Sequence, residues 1–197
     1  MKKGIIYILF LLFGTLPLYA QEETLISEGK ITHGGYGGPE VKFTTINDNF
    51  GLLVGGRGGW IINHTIILGG GGYGLTNAVK AKVPSTTEGK YVDFGYGGFA
   101  LEWIIKSDKL IHFSISSMVA GGGVRYRHDM GDNDGNHHAE ACLVVEPGAT
   151  AELNITKFFR LSLGASYRYV SGVSSAVASN SSLSGLSLNL LLRFGKF

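Results

Sequence analysis

Cysteine is nearly absent from this 197-residue chain, proline is scarce, and charge of neither sign dominates. A single Cys142 excludes an internal disulfide, and it reads as a packed small residue rather than a catalytic thiol. With only 4 Pro, few positions forbid a sheet ladder. Beyond residue 20 no apolar run approaches the ~18 residues that a membrane-crossing helix needs. A place in a membrane would therefore require a closed barrel, the other spanning structure that satisfies its own backbone. No glycine cluster precedes a helical pattern or a Gly-Lys-Ser/Thr triplet, so neither standard phosphate cradle is present. There is no basic tract, which argues against nucleic acid and against a polybasic lipid contact.

What is present begins with the N-terminus. Lys2 and Lys3 precede an apolar core from Ile5 to Phe13, and Leu18-Tyr19-Ala20 precede Gln21-Glu22-Glu23. That is the pattern of a secretory signal peptide cleaved after Ala20. An uncleaved anchor fits less well, because Gly14, Thr15 and Pro17 interrupt a run already too short to span. No Cys follows the cleavage site, so lipoprotein processing is not expected. Removing Lys2 and Lys3 leaves 15 basic side chains against 15 acidic ones, a formally neutral mature chain. The expected organisation is a signal peptide over 1–20, a periplasmic lead-in over 21–34 and one domain over 35–197.

The 31 Gly are set among Val, Ile, Leu, Phe and Tyr, as strand glycines that let a small barrel bend. The pattern of the last fourteen residues is the clearest. Leu186, Leu188, Leu190, Leu192 and Phe194 point one way in an extended strand, while Gly185, Ser187, Asn189, Leu191 and Arg193 point the other. A strand of this kind at the end of the chain needs partners on both edges, which closure into a barrel supplies. From Gly35 onward the apolar segments predict eight strands, near 38–46, 50–62, 65–76, 90–105, 111–126, 139–154, 158–171 and 183–195. Tight turns at Asn63-His64, Lys106–Lys109 and Asn154–Lys157 follow even strands. Longer polar stretches at 77–89, 127–138 and 172–182 follow odd ones, with Asn47-Asp48-Asn49 as a short member of that class. Short turns on one rim and long loops on the other are the pattern of outer-membrane barrels.

Facing agrees with this. Ala141, Leu143, Val145, Ala149, Ala151 and Leu153 share one face of the sixth strand; Glu140, Cys142, Val144, Glu146, Thr150 and Glu152 share the other. A soluble lipocalin-like barrel would show the same alternation turned inside out. The signal peptide, the loop parity and the terminal strand favour the membrane version. The expected fold is all-β, an eight-stranded antiparallel up-and-down transmembrane β-barrel. In the glycine-rich early strands the facing stays ambiguous.

The signal peptide, the strand count, the loop parity and the terminal Leu-Arg-Phe-Gly-Lys-Phe197 together resemble small outer-membrane β-barrel proteins of the OmpA/OmpX-like group. The resemblance spans nearly all of residues 35–197. It implies an assembly signal in the last strand, Leu188, Leu190, Leu192, Phe194 and Phe197, read by the barrel-assembly machinery. It also implies an interior filled by an ionic network. Phe197 falls on the opposite parity from Phe194, which calls for a bulge at Gly195 or a final residue turned outward.

Candidate functional residues follow from the inner face: Lys42, Arg57, Glu102, His112, Glu146, Glu152, Arg160, Arg168 and Arg193. In a lumen just wide enough for side chains, such charges must pair. A polar plug is favoured over an ion path. In the 125–140 stretch, His128, Asp129, Asp132, Asp134, His137, His138 and Glu140 are metal-capable. With Gly135 as the sixth position of a calcium loop, however, Met130 and Ala141 fall where carboxylates are required. No metal and no cofactor is expected. His112 and Ser114 share a face, as in a hydrolytic pair, but are expected inside the lumen near a turn. Trp60, Trp103, Phe158 and Phe159 suit an aromatic girdle at the turn rim, and Tyr73, Tyr91, Tyr126 and Tyr169 one at the loop rim. The expected function is non-enzymatic, structural or surface-exposed, with the loops meeting an extracellular ligand or protein and the wall meeting outer-membrane lipid. A small pore and an outer-membrane lipid-modifying hydrolase are the alternatives.

Overall fold

Two Asn-led turns open the barrel. Asn47 and Asp48 both adopt positive φ (50° and 60°), as do Asn63 and His64 (50° and 55°). This is the backbone sign of the type I′ turns whose twist suits a hairpin, and Asn tolerates it better than most residues. Asn47-Asp48 joins β1 (His33–Ile46) to β2 (Asn49–Ile62), with Ile46 directly opposite Asn49. Asn63-His64 leads into β3 (Ile66–Leu75), with Ile62 opposite Ile66. A short β4 (Val79–Lys80) precedes β5 (Tyr91–Ile105), β6 (Ile111–Arg127), β7 (Glu140–Asn154) and β8 (Phe159–Ser171). One turn of helix, α1 (Asn180–Leu183), then leads to β9 (Gly185–Lys196). The computed structural model describes residues 31–81, 91–127, 139–173 and 178–197, all within one compact unit.

The strands pair antiparallel in the order β3-β2-β1-β9-β8-β7-β6-β5, and β3 pairs with β5 to close the ring. Eight long strands therefore form a closed barrel, with β4 added beside the loop end of β5. Closure removes both edges of the eight-stranded ring, so no long strand is left with an unpaired ladder. β1 starts at His33, inside the stretch expected to be a lead-in, and its register against β2 runs unbroken from His33↔Ile62. The run His33-Gly-Gly-Tyr-Gly37 has no apolar alternation to announce it. Pro39 and Pro147 both sit where a ladder is interrupted, β1 against β9 and β7 against β8. A residue without an N–H is tolerated at such a gap.

Parity decides what faces out. Every long strand shows a large apolar side chain on its outer face: Phe43, Trp60, Leu68, Phe99, Ile115, Leu143, Leu163 and Leu188 are all exposed. Charged side chains take the inner face, with Glu152, Arg168, Arg193 and Lys42 almost fully buried. Apolar outside and charged inside is the arrangement of a barrel immersed in lipid and the reverse of a lipocalin. Inner backbones come close enough to demand glycine. A Cβ at Gly38 would run into the carbonyl of Leu192, whereas one at Gly37, facing out, would meet nothing within 4 Å.

The interior has two parts. Toward the loops, Ile46, Leu53, Val92, Phe94, Val124, Val144 and Val170 form an apolar layer. Val79 from β4 and Leu183 from α1 enter that layer from the connections and are wholly buried. Burying each of these side chains stabilises the closed rim by about 1.5–3 kcal/mol. α1 is fixed by a capping box, in which Ser179 Oγ accepts from the Ser182 N–H (3.1 Å) and the Ser179 N–H donates to Ser182 Oγ (3.0 Å). Asn47 ties both connections down: its N–H donates to Ser182 O (2.9 Å) and its Nδ2 to Lys80 O (3.3 Å). Toward the turns the interior is ionic, over a second apolar cluster of Tyr36, Ile61, Ile67, Ile104 and Leu191 that also packs Phe197.

The end of β9 needs no bulge. Tyr36↔Gly195 and Gly35↔Lys196 continue the pairing without a break. Phe197 keeps the inner parity of Leu191 and Arg193 and stacks on Tyr36, ring centroids 6.4 Å apart. Tyr73 also departs from expectation: it is buried in the lumen, not placed in a loop-rim girdle. The flanking run Gly69–Gly72 carries no side chains from which its parity could be read. Trp60, Trp103, Phe158 and Tyr169 do face outward and are exposed. Tyr126's side chain lies outside the described residues.

Candidate functional site

The concentration of chemistry in this molecule is the lumen, because inward parity on all eight long strands points polar groups at one axis. Glu102, on β5, accepts from Arg193 Nη2 of β9 at 2.7 Å and faces Arg57 Nη2 of β2 at 3.3 Å. Arg193 Nη2 also lies 3.3 Å from Glu152 Oε1 of β7, so one guanidinium bridges two carboxylates. Glu152 in turn accepts from Ser114 Oγ (2.9 Å) and has His112 Nε2 at 3.3 Å and Arg160 Nη1 at 3.9 Å. Arg160's guanidinium lies 3.9 Å from the Phe197 ring centroid, a cation–π contact at the turn-side mouth. Seven polar side chains, from six strands, thus form one connected group. Ionic contacts of this kind contribute only when geometry is good and the remaining donors are satisfied.

A second group sits midway along the barrel. Lys42 Nζ donates to both oxygens of Glu146, at 2.8 and 2.9 Å. The same carboxylate accepts from Tyr96 OH (2.7 Å) and Ser166 Oγ (2.5 Å). Lys42 Nζ lies 3.5 Å from the centroid of the Tyr73 ring, and Tyr73 OH donates to Glu40 at 2.5 Å. Glu40 escaped the sequence reading, although it shares the parity of Lys42 and that signal was available. Arg168 meets the second group only through the Tyr96 hydroxyl. It is 0% exposed, its Nε donates to Leu183 O (2.8 Å) and its Nη2 to Thr44 Oγ1 (3.4 Å), and no carboxylate of the described residues is paired with it. Strand parity turns it inward, but pairing depends on height and shear, and β8 carries Arg168 up to the apolar layer.

His112 and Ser114 do not form a relay. Both reach Glu152, at 3.3 and 2.9 Å, and His112 Nδ1 lies 3.3 Å from Lys109 O. A carbonyl can only accept, so Nδ1 carries the proton donated there. A nucleophile–base–acid relay needs the imidazole between the hydroxyl and the carboxylate. Here the carboxylate is in the middle. The two side chains are 1% and 2% exposed and face the lumen.

Outside the lumen, Leu188, Leu190, Leu192 and Phe194 keep the outer parity of β9, and Phe194 stacks on Phe159 with centroids 4.9 Å apart. The metal-capable residues from His128 to His138 lie outside the described residues. Among the described ones, no group of three His, Cys, Asp or Glu is arranged to hold a metal.

No family model and no curated protein matches this chain. Solved structures do. Neisserial surface protein A superposes with a TM-score of 0.61 at 12% identity, over 86% of this chain and 100% of that one. The N-terminal β-barrel domain of Pseudomonas aeruginosa OprF superposes with a TM-score of 0.54 at 11% identity, over 81% of this chain and 96% of that one. At such identities the likeness concerns the fold. With its closed antiparallel ring of eight strands and its inward charges, the chain has the fold of the small OmpA/OmpX-like outer-membrane β-barrels.

Proposed function

We propose that this chain is a non-enzymatic outer-membrane protein, structural or surface-exposed, with a blocked lumen and with the loops at 77–89, 127–138 and 172–182 as its contacts to an extracellular ligand or protein. Export would follow cleavage of residues 1–20. Insertion would follow recognition of Leu188, Leu190, Leu192, Phe194 and Phe197 by the barrel-assembly machinery, with lipid around the wall. The observation that carries the reading is the filling of the interior along its whole length. The ionic groups around Glu102, Glu152 and Glu146 occupy the turn half and the middle. Apolar side chains, two of them contributed by the loop connections, occupy the other half. A filled lumen opposes solute passage. The Ser114–Glu152–His112 order opposes hydrolysis. What remains available to partners is the loop rim.

The test uses full-length protein refolded in detergent and reconstituted in planar bilayers. The expected result is a heat-dependent shift in gel migration with no steady conductance. Steady conductance would replace the surface role with a pore. A soluble protein lacking the heat shift would overturn the membrane location itself.

A further inference from the structure

At the turn end of the barrel an open cavity of about 540 Å³ lies between the β7–β8 turn and the end of β9. Its lining includes Ile155, Lys157, Arg160, Lys196 and Phe197. That size falls within the ~300–1,000 Å³ of small-molecule sites. Backbone bonds fix its walls. Thr156 Oγ1 accepts from the Phe158 and Phe159 N–H groups (3.3 and 3.0 Å), which holds the turn that carries Lys157. The Gly195 N–H donates to Phe158 O (2.9 Å), and this brings Lys196 beside the same turn.

Three cations therefore meet around one space. Lys157 and Lys196 are exposed, and neither is paired with a carboxylate of the described residues. Arg160 is 8% exposed, set over the Phe197 ring, and its Nη1 stands 3.9 Å from Glu152, too far for a hydrogen bond. That carboxylate is already shared by Ser114, His112 and Arg193. Even with a terminal carboxylate on Phe197 counted against the three cations, the lining keeps a net positive charge.

Position selects the kind of anion. Phe158, 62% exposed, faces outward beside the cavity, and Ile155 in its lining is 48% exposed. The Phe159–Phe194 stack continues the same apolar wall. The wall thus ends where the cations begin. In a bilayer the phosphates lie at that boundary, immediately outside the hydrocarbon.

We propose that the cavity binds the phosphate of an anionic phospholipid head group from the leaflet at the turn rim. Arg160 is the fixed cation, Lys157 and Lys196 close on the phosphate from the mouth, and the acyl chains run along Phe158 and the Phe159–Phe194 stack. The inference rests on the membrane location proposed above. Free phosphate offers the same chemistry without the chains, so the test separates the two sources.

Full-length protein refolded in detergent is titrated with phosphatidylglycerol, phosphatidylcholine or inorganic phosphate, and bound lipid is counted by native mass spectrometry. One phosphatidylglycerol should be retained per barrel, with phosphatidylcholine roughly tenfold weaker or more. Lys157→Gln with Lys196→Gln should weaken phosphatidylglycerol by roughly thirtyfold, about fivefold for each lysine. Neither side chain belongs to the ionic groups of the lumen, so this variant should fold as wild type does. Lys106→Gln with Lys109→Gln removes the same charge from the same rim outside the cavity, and should change binding by less than about twofold. Inorganic phosphate should displace the lipid only at far higher concentration. Equal retention of the two lipids, or equal losses in the two lysine pairs, would overturn the proposal. Phosphate bound at the cavity with no phosphatidylglycerol retained would overturn the lipid assignment. Either failure in a barrel that still shows the heat-dependent gel shift strikes this inference alone; absence of the shift would remove the membrane location and this inference with it.

Discussion

Along β7 the two halves of the lumen can be compared within a single strand. Glu152 and Glu146, on the turn side and in the middle, each hold several donors from other strands. Val144 and Cys142, only one and two inner positions further toward the loops, are buried among Phe94, Val124 and Val170. The walls are the same, as are the alternation and the apolar exterior. The physics of filling differs. Ionic contacts are directional, and a carboxylate such as Glu102 is satisfied only if β2, β5 and β9 stand at one register. Apolar packing is non-directional and accepts whatever side chain arrives with the right volume. The loop half can therefore be closed by Val79 and Leu183, which come from connections rather than strands. The ionic half fixes how the strands align; the apolar half lets the loops seal.

The largest effect should come from breaking the ionic half. Glu102→Ala leaves Arg57 without its listening carboxylate and Arg193 with only Glu152, in a lumen where both are largely desolvated. Removing one side of a buried ionic contact costs about 3–5 kcal/mol. The unfolding midpoint of the refolded barrel should fall clearly, while protease cleavage at the loop rim of the folded form should be unchanged. A barrel as stable as wild type would show that the charges are not the register-fixing element.

Next in size is Leu183→Ala, which opens a hole in the apolar half. Such truncations cost roughly 2–5 kcal/mol, and this one should fall at the lower end because a rim site can relax. Its signature should be the opposite of the first: a modest drop in global stability, with much faster cleavage within the 172–184 connection. α1 is held there chiefly by Leu183, by Arg168 and by Asn47. Identical proteolysis profiles for the two variants would erase the distinction between the halves.

The turn half was largely legible in the sequence and the loop half was not, for reasons that particular residues make plain. In β8 and β9, Arg160, Arg168 and Arg193 alternate with Leu or Tyr, so period two identifies the inner face without a structure. Which acid meets which base was beyond reach, because contacts such as Glu102–Arg193 depend on the shear of the closed ring. In β7, Val144 and Val145 are both apolar, so a buried layer and a lipid-facing band cannot be told apart there. Val79 and Leu183 are single apolar residues in otherwise polar stretches, with no periodicity to mark them. Glycine hid Tyr73 in the same way. Closure by the loops is a tertiary fact, written in isolated residues whose meaning appears only once the rim exists.

The smallest expected effect isolates the two rims through their turns. Asn47 and Asn63 share a positive φ and a hairpin role, and glycine adopts that backbone freely. Substituting glycine therefore removes the side chain's bonds while leaving the turn intact. Asn63 Oδ1 accepts from the Thr32 N–H at 3.0 Å in an exposed setting where water can replace it. Asn47 is 1% exposed, and its amide donates to Lys80 O beneath the closed loop end. Asn63→Gly should change stability by no more than a few tenths of a kcal/mol, whereas Asn47→Gly should cost about 1 kcal/mol, the net worth of a buried hydrogen bond. Hydrogen exchange of the Val79 and Leu183 amides should quicken in the second variant only. If both substitutions were equally mild and left those amides equally protected, Asn47 would be an ordinary turn residue, and the seal would rest on apolar packing alone.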